Sequence, residues 1–525
     1  QETGRPVVVV CADEGEAERM TRDLAALSGE EVRALSAREF TFHNAAVVSR
    51  QYEHRRLSVL RALAAGECSL LVCTAEAVLQ RTLPKALLEG ASRVLRMGES
   101  HDLNQLAETL TAAGYTRCEQ VEGVGQFALR GGILDVFSPL MDQPVRCEFF
   151  DDEIDSMGAF DPGTQRRTRN VSSARILPAA EVLPHCAEGG LPGLADRLSA
   201  LAEKLAKKQK TEAIVQTLRE DAERLRSGAA LGAADRYLAA IYPEVTAGVH
   251  YLPTDAVVFF SESGRVDERV KNTVLQQKQD VEALLSAGVL AGDYAHLTLT
   301  AEELYAALEE FPVILEDSLP TSRHPLRPRG LLTMNAKQLS SYGGSLETAV
   351  TDLEHYRRSG SAVLVLCGGE TRAKNLHRLL EEKGIPATLD LSGAAMPAAG
   401  EVRLSLGALS AGSEWPALKL AVLTEGQLTA PAMRKRQRVK KDSNRQKLQS
   451  YTDLSPGDLV VHEHHGVGRF VGIQRMPVDG VEKDYIKIDY AGGDCLYVPV
   501  TQLDLVSKYI GGGEDTERTK LNKLG

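Results

Sequence analysis

What the 525-residue sequence lacks sets the first limits. It contains no Gly-Lys pair, so it has no G-x-x-x-x-G-K-[ST] loop, whose backbone and lysine cradle nucleotide phosphates. Its eight cysteines (Cys11, Cys68, Cys73, Cys118, Cys147, Cys186, Cys367 and Cys495) are scattered, with no C-x-x-C pair. That pattern argues against a zinc or disulfide framework and reads as buried thiols in a reducing, cytoplasmic setting. No apolar run is long enough to cross a membrane. Positive charge is not in excess: the net charge is −11. Any nucleic-acid contact must therefore come from a local basic patch. The chain starts at Gln1 rather than Met and stops at "KLNKLG", as expected of a piece of a longer protein.

What is present is ordinary globular material, 43% hydrophobic and 25% charged, enough for several domains of about 100–200 residues. "RPVVVVCADEGEAERMTRDLAAL" (5–27) reads as a strand covered on both faces, then an amphipathic helix. "CSLLVCTAEAVLQRTLP" (68–84) repeats that grammar, with Thr74 placed to cap its helix. From about 118 to 180 short strands are split by Gly, Pro and Asp, a β-rich insert. Residues 195–240 are helical and charged, and "AVVFFSESGR" (256–265) returns to a buried strand before a helix around 268–286. A second α/β unit fills 340–430: "SAVLVLC" (361–367), a helix near 370–384 and "KLAVLTEG" (419–426). The polar, basic stretch 431–454 reads as a linker, and from 455 the pattern is β again.

"VVHEHHGVGRF" invites a metal reading. Zinc proteases of the H-E-x-x-H type need their histidines one helical turn apart. Here His462, His464 and His465 sit in a strand-like context broken by Gly466 and Gly468, so a strand end and turn is expected and no metal site. The cluster Asp151, Asp152, Glu153 and Asp155 alternates between strand faces and reads as a hairpin turn.

The segment "GDLVVHEHHGVGRFVGI … DYIKIDYAGGDCLYVPV", together with "KLNKLG", resembles the RNA-polymerase-interacting domain of transcription-repair coupling factors, which is shared with CarD-type regulators. The resemblance implies a small barrel that adds an edge strand to the polymerase β subunit. Its candidate contacts are Arg469, Phe470, Ile473, Arg475 and Met476, along the edge Arg469–Met476. "GQFALRGGILDVFSPLMDQPVRCEFFDDEIDSMGAFDPGTQR" (125–166) resembles domain 2 of UvrB and of the coupling factors. In "VRCEFF", Arg146, Glu148 and Phe150 share one strand face, an arginine–aromatic surface of the kind found at protein-binding hot spots. The resemblance assigns that face to UvrA docking, through Arg130, Arg146 and Phe150.

The UvrB likeness stops short of its chemistry. The strand in the second ATPase-motif position ends "VVFFSES", and 39–60 carries Tyr52 alone where UvrB has a tyrosine-rich hairpin. The run "RKRQRVKKDSNRQK" (434–447) could track phosphates but has no aromatic for base stacking, so a solvated linker is expected.

The expected fold class is multidomain α/β with a β-rich insert domain and a C-terminal small SH3/Tudor-like β-barrel. The expected domains are 1–117 and 186–335 (a degenerate UvrB-like α/β unit), 118–185 (the UvrA-binding insert), 340–430 (a divergent α/β domain), 431–454 (linker) and 455–525 (the polymerase-interacting domain). The expected function is docking in transcription-coupled nucleotide excision repair, with RNA polymerase β subunit and UvrA as partners. This segment is expected to be no enzyme, with no catalytic or metal residues and no cofactor. ATP, Mg²⁺ and most contact with double-stranded DNA would belong to a translocase after Gly525. The competing readings are a UvrB-type damage-binding ATPase and a CarD-type transcription regulator.

Overall fold

Val7–Cys11 is a run of β-branched residues ending in a thiol, and the computed structural model places it at the centre of a parallel sheet. The structure describes residues 4–43, 50–208, 211–319, 321, 323–342, 346–393, 395–428, 445–447, 457–462, 466–478, 481–491, 495–499 and 506–509. It forms two units, 1–430 and 431–525.

In the first unit, β1 (Val7–Cys11), β2 (Val32–Leu35) and β3 (Leu70–Thr74) lie on one side of the sheet. The sheet is finished much later in the chain by β12 (Val257–Ser261) and β13 (Val313–Glu316), in the order β13-β12-β1-β3-β2. Every pairing is parallel. Buried strands of this kind need helices on both faces. The helices Glu14–Ser28, Gln51–Ala64 and Ser263–Ser286 supply them, and the helical pair Gly190–Ala206 and Glu212–Arg226 extends the same core. Thr74 caps the helix after β3, its Oγ1 accepting from Ala77 N at 3.2 Å, as its position predicts.

Between β3 and β12 the chain builds the insert. β4 (Arg93–Arg96) and β11 (Ser173–Ile176) pair antiparallel as its entry and exit. β5 (Thr116–Arg117), β6 (Gln126–Arg130), β7 (Ile133–Val136), β8 (Val145–Phe150), β9 (Glu153–Phe160) and β10 (Arg167–Asn170) form one sheet in chain order. Phe127, Leu134, Val136, Val145, Cys147, Ile154 and Met157 cover its inner face and pack on the helix Leu103–Ala112 and the β4–β11 ribbon. A two-residue turn, Asp151–Asp152, joins β8 to β9, with Asp151 in the left-handed region at φ 59°. Asp tolerates that conformation, so the acidic cluster makes a hairpin.

The 340–430 stretch is a third sheet of β14 (Lys337–Leu339), β15 (Ala362–Cys367), β16 (Ala387–Asp390), β17 (Val402–Leu406), β18 (Gly412–Trp415) and β19 (Leu420–Thr424), ordered β14-β18-β19-β15-β17-β16. β16, β17, β15 and β19 run parallel over the helices Leu346–Arg358 and Glu370–Glu382.

The second unit is β-rich: β20 (Arg445–Lys447), β21 (Leu459–His462), β22 (Gly466–Val478), β23 (Val481–Asp489), β24 (Cys495–Pro499) and β25 (Val506–Tyr509), ordered β20-β25-β21-β22-β23-β24. Val460, Phe470, Ile486, Ile488, Tyr490 and Val498 make its core. Ile486 and Ile488 are buried while Lys487 and Asp489 between and after them are not, as the alternation in "YIKIDY" predicts. Of the basic run 434–447, only Arg445–Lys447 falls among the described residues.

Most cysteines are buried or half-buried, as expected; Cys495 is exposed, because its position on β24 faces away from that core. Burial pushes the Cys147 thiol up to about 12, and burial followed by Glu16 and Asp13 does the same to Cys11. Among the described residues no helix is long and apolar enough to cross a membrane.

Candidate protein-docking surfaces

The outer face of the insert sheet carries a small apolar floor of Val121, Ala128, Phe137 and Phe160. Asp135 stands on this face, between Leu134 and Val136 of the inner face, and its side chain is fully enclosed. A buried carboxylate needs cations or donors. Two arginines from the flanking strands provide them. Arg146, opposite Asp135 on β8, donates from Nε to Oδ1 at 2.7 Å and from Nη2 to Oδ2 at 2.8 Å. Arg130, at the end of β6, donates from Nη2 to Oδ2 at 2.7 Å. The Arg146 guanidinium lies 4.7 Å over the Phe160 ring, and the Asp135 hydrogen bond raises its already high pKa. The Arg130 side chain remains 49% exposed and that of Arg146 23%.

Phe150 closes β8 before the Asp151–Asp152 turn and is 80% exposed. It joins no apolar cluster among the described residues. The three residues expected to act together are therefore brought to one face, but not in the form expected. The fork of Arg146 is turned onto Asp135 rather than left open, because the β7–β8 register sets the two residues opposite each other. Arg130 offers the freer guanidinium: its Nε and Nη1 have no hydrogen-bond partner among the described residues. Sequence reasoning missed Asp135. Its signal was a lone carboxylate inside the apolar strand "ILDVF".

In the second unit, β22 is paired along one side by β23 from Arg469 to Val478. On its other side, Leu459–His462 pair with Gly466–Arg469, and Phe470 exchanges backbone hydrogen bonds with Gly457 and Asp458 at 2.8 Å. Past Phe470 that side has no partner among the described residues, so the stretch left unpaired among them starts at Val471 rather than Arg469. Arg469 is exposed. Phe470 is not: at 3% exposure it belongs to the core, because alternation along β22 turns it inward. Ile473, Arg475 and Met476 lie on β22 opposite Ile486, Asp484 and Lys483; their side chains fall outside the described residues. His462 ends β21 opposite Gly466, while Glu463, His464 and His465 lie outside the described residues. No group of metal-ligating side chains occurs among the described residues.

The place where a doubly wound sheet takes a phosphate is beyond the carboxyl ends of β1 and β12, where the strand order reverses. Here the first turn after β1 carries Asp13, Glu14 and Glu16. Asp13 accepts from Glu16 N at 2.9 Å, and Glu16 accepts from Ser261 Oγ at 2.7 Å. Ser263 donates to Asp317 at 2.8 Å, and Glu262 holds a left-handed φ of 53°. Glu316 is pushed above the usual carboxylate range by burial and by Glu262, Asp317 and Glu16. Asp13 already takes the Glu16 amide, and a phosphate here would face the like charge of the surrounding carboxylates, so these residues do not fit a nucleotide.

Two protein-family models match the chain: the UvrB interaction domain over residues 94–181 and the CarD-like/TRCF RID domain over 454–510. The chain is 29% identical over 527 residues to a transcription-repair-coupling factor of Bacillus subtilis strain 168, covering 100% of this chain and 44% of that protein. Over its whole length the chain is similar to part of a transcription-repair-coupling factor. Transcription-repair-coupling factors of Staphylococcus aureus MRSA252 and Staphylococcus haemolyticus JCSC1435 are each 30% identical over 91% of the chain and 40% of their own length. The chain thus spans under half the length of these relatives. The first match contains Asp135 and both its arginines, and the second contains the whole of β22.

Proposed function

We propose that this chain is a docking segment of a transcription-coupled repair factor. Its insert recruits UvrA through Arg130, Arg146 and Phe150. Its C-terminal unit, read as a small SH3/Tudor-like barrel, binds the RNA polymerase β subunit. The observation that carries the first contact is Phe150, a large aromatic left in solvent on the sheet face that also carries the two arginines, within the stretch matching a UvrB interaction domain. The second contact rests on β22 past Phe470, unpaired on one side among the described residues, which suits strand addition: main-chain hydrogen bonds give affinity, and alternate side chains give specificity. Arg469, Ile473, Arg475 and Met476 are the side chains for that role, with Phe470 supporting the strand from inside.

On this reading the segment itself hydrolyses no ATP and holds no cofactor. The acidic crevice at β1 and β12 supports that, as does the missing Gly-Lys pair. ATP, Mg²⁺ and translocation on double-stranded DNA are assigned to the portion of the relatives that the chain does not span.

Calorimetric titration of UvrA into the purified chain tests the first contact; no measurable heat of binding would overturn it. For the second, Met476→Arg is expected to abolish capture of the β subunit while the circular dichroism spectrum is unchanged. Capture at full strength removes Met476 from the contact. DNA-stimulated ATP hydrolysis above background would favour the UvrB-type ATPase instead.

A further inference from the structure

We propose that Asp135 is a positioning residue of the docking face: it aims the two arginines and sets the charge the partner meets. This rests on the UvrA-docking reading above. Three hydrogen bonds of 2.7–2.8 Å hold Arg130 and Arg146 to one carboxylate that has no exposure of its own. Asp135 is too deep to touch a partner, so it acts only through the arginines. With both carboxylate oxygens engaged, Arg146 is pinned over Phe160 and Arg130 is tied by a single nitrogen. The Arg130 side chain stays half-exposed on the sheet face that also carries Phe150.

This arrangement has two effects of opposite sign. The fixed guanidiniums lose little side-chain entropy on binding, which strengthens the complex once formed. The Asp135 charge also cancels one of the two positive charges, leaving the cluster at a net of one. It therefore weakens long-range attraction for an acidic partner patch, which acts on the association rate. The partner chemistry that fits is a carboxylate placed for Arg130 beside an apolar pocket for Phe150.

The test is Asp135→Asn, which keeps the shape and removes the charge. UvrA association and dissociation rates are measured on the full chain by surface plasmon resonance at low salt. The expected result is a dissociation rate raised at least tenfold with an association rate unchanged or increased. A merely structural defect would instead lower the binding-competent fraction, and so the signal and apparent association rate, without changing dissociation. The same substitution is also placed in an Arg130→Ala/Arg146→Ala background, where it should alter residual affinity less than twofold. A tenfold effect persisting in that background overturns the inference, as does wild-type dissociation by Asp135→Asn alone. If the wild-type chain fails to bind UvrA, or the double arginine variant binds like wild type, the docking reading itself has failed.

Discussion

Glu181 and Asp135 are both fully buried carboxylates held by two arginines, and each cluster sets one of its arginines over a phenylalanine. Around Glu181, Arg56 donates at 2.8 Å, Thr82 at 2.6 Å, and Arg38 lies 3.4 Å away with its own second partner, Asp235, at 2.9 Å. Every member is enclosed. Burial pushes Glu181 up, and Arg56 and Arg38 outweigh it, so its carboxyl ends below the usual range. Around Asp135 the carboxylate is just as deep, but its arginines, from the strands on either side, reach solvent. The difference is not chemical type. It lies in whether a second layer seals the cluster: sealed, it ties the insert's exit to the α/β core; unsealed, it becomes a surface that another protein can complete.

The largest expected effect breaks the sealed cluster. Glu181→Leu strands Arg38 and Arg56 without their shared counter-charge, and loss of one partner of a buried pair costs about 3–5 kcal/mol. Urea unfolding followed by circular dichroism should show the midpoint of the α/β transition falling sharply; an unmoved midpoint would mean the pair is not a determinant of stability.

Phe150→Ala sharpens the contrast from the other side. UvrA affinity should fall about thirtyfold, or about 2 kcal/mol, while the urea midpoint stays put, because an exposed side chain contributes little to its own fold. A shifted midpoint would reclassify Phe150 as packing. Arg146→Ala stands between the two. It should weaken UvrA binding and also cost the insert about 1–3 kcal/mol, since Asp135 loses two of its three hydrogen bonds to these arginines. Binding lost with stability intact would show that Asp135 is satisfied by Arg130 alone.

The smallest effect concerns Glu316 in the acidic crevice. Its folded pKa is raised, so folding makes the ionised form less favourable than it is in the unfolded chain. Its stabilising share is present below the unfolded carboxylate pKa and is lost as pH rises through the folded value. Glu316→Gln should therefore gain a little stability at neutral pH, ~0.3 kcal/mol given its exposure and screening, and none at pH 4. Thermal melts at the two pH values decide it; equal gains at both would remove the charge explanation.

Much of the fold was legible because its signals are local. The apolar runs at Val7–Cys11 and Ala362–Cys367 became central strands, and "FFSES" ended a strand as read. The exposed face of Phe150 followed from alternation along a single strand. What was not legible depends on partners across strands. That Arg146 is turned onto Asp135 is a matter of β7–β8 register, which residue types alone do not specify. Phe470 looked like a contact because it lies on the proposed edge strand, yet alternation points it at Val460 and Ile488 of the core. The acidic filling of the β1 crevice was in plain view as "ADEGEAE", but its meaning needed the neighbouring strand and the helix after it, which bring Ser261 and Arg265 to it.

The antiparallel closure of β4 on β11 has a consequence in time. The insert's hairpins pair strands that are neighbours in sequence, whereas β1 lies beside β12, with Val7 opposite Val257. Local pairings form sooner than distant ones. As the chain leaves the ribosome, the insert can close once Ile176 is clear, while β1, β2 and β3 still wait for the strands that finish their sheet. Chains arrested at that point should protect the insert from protease and leave β1–β3 open to cleavage. The face that carries Asp135 and Phe150 would then be the first finished part of the molecule, ready for a partner before the domain that bears it has folded.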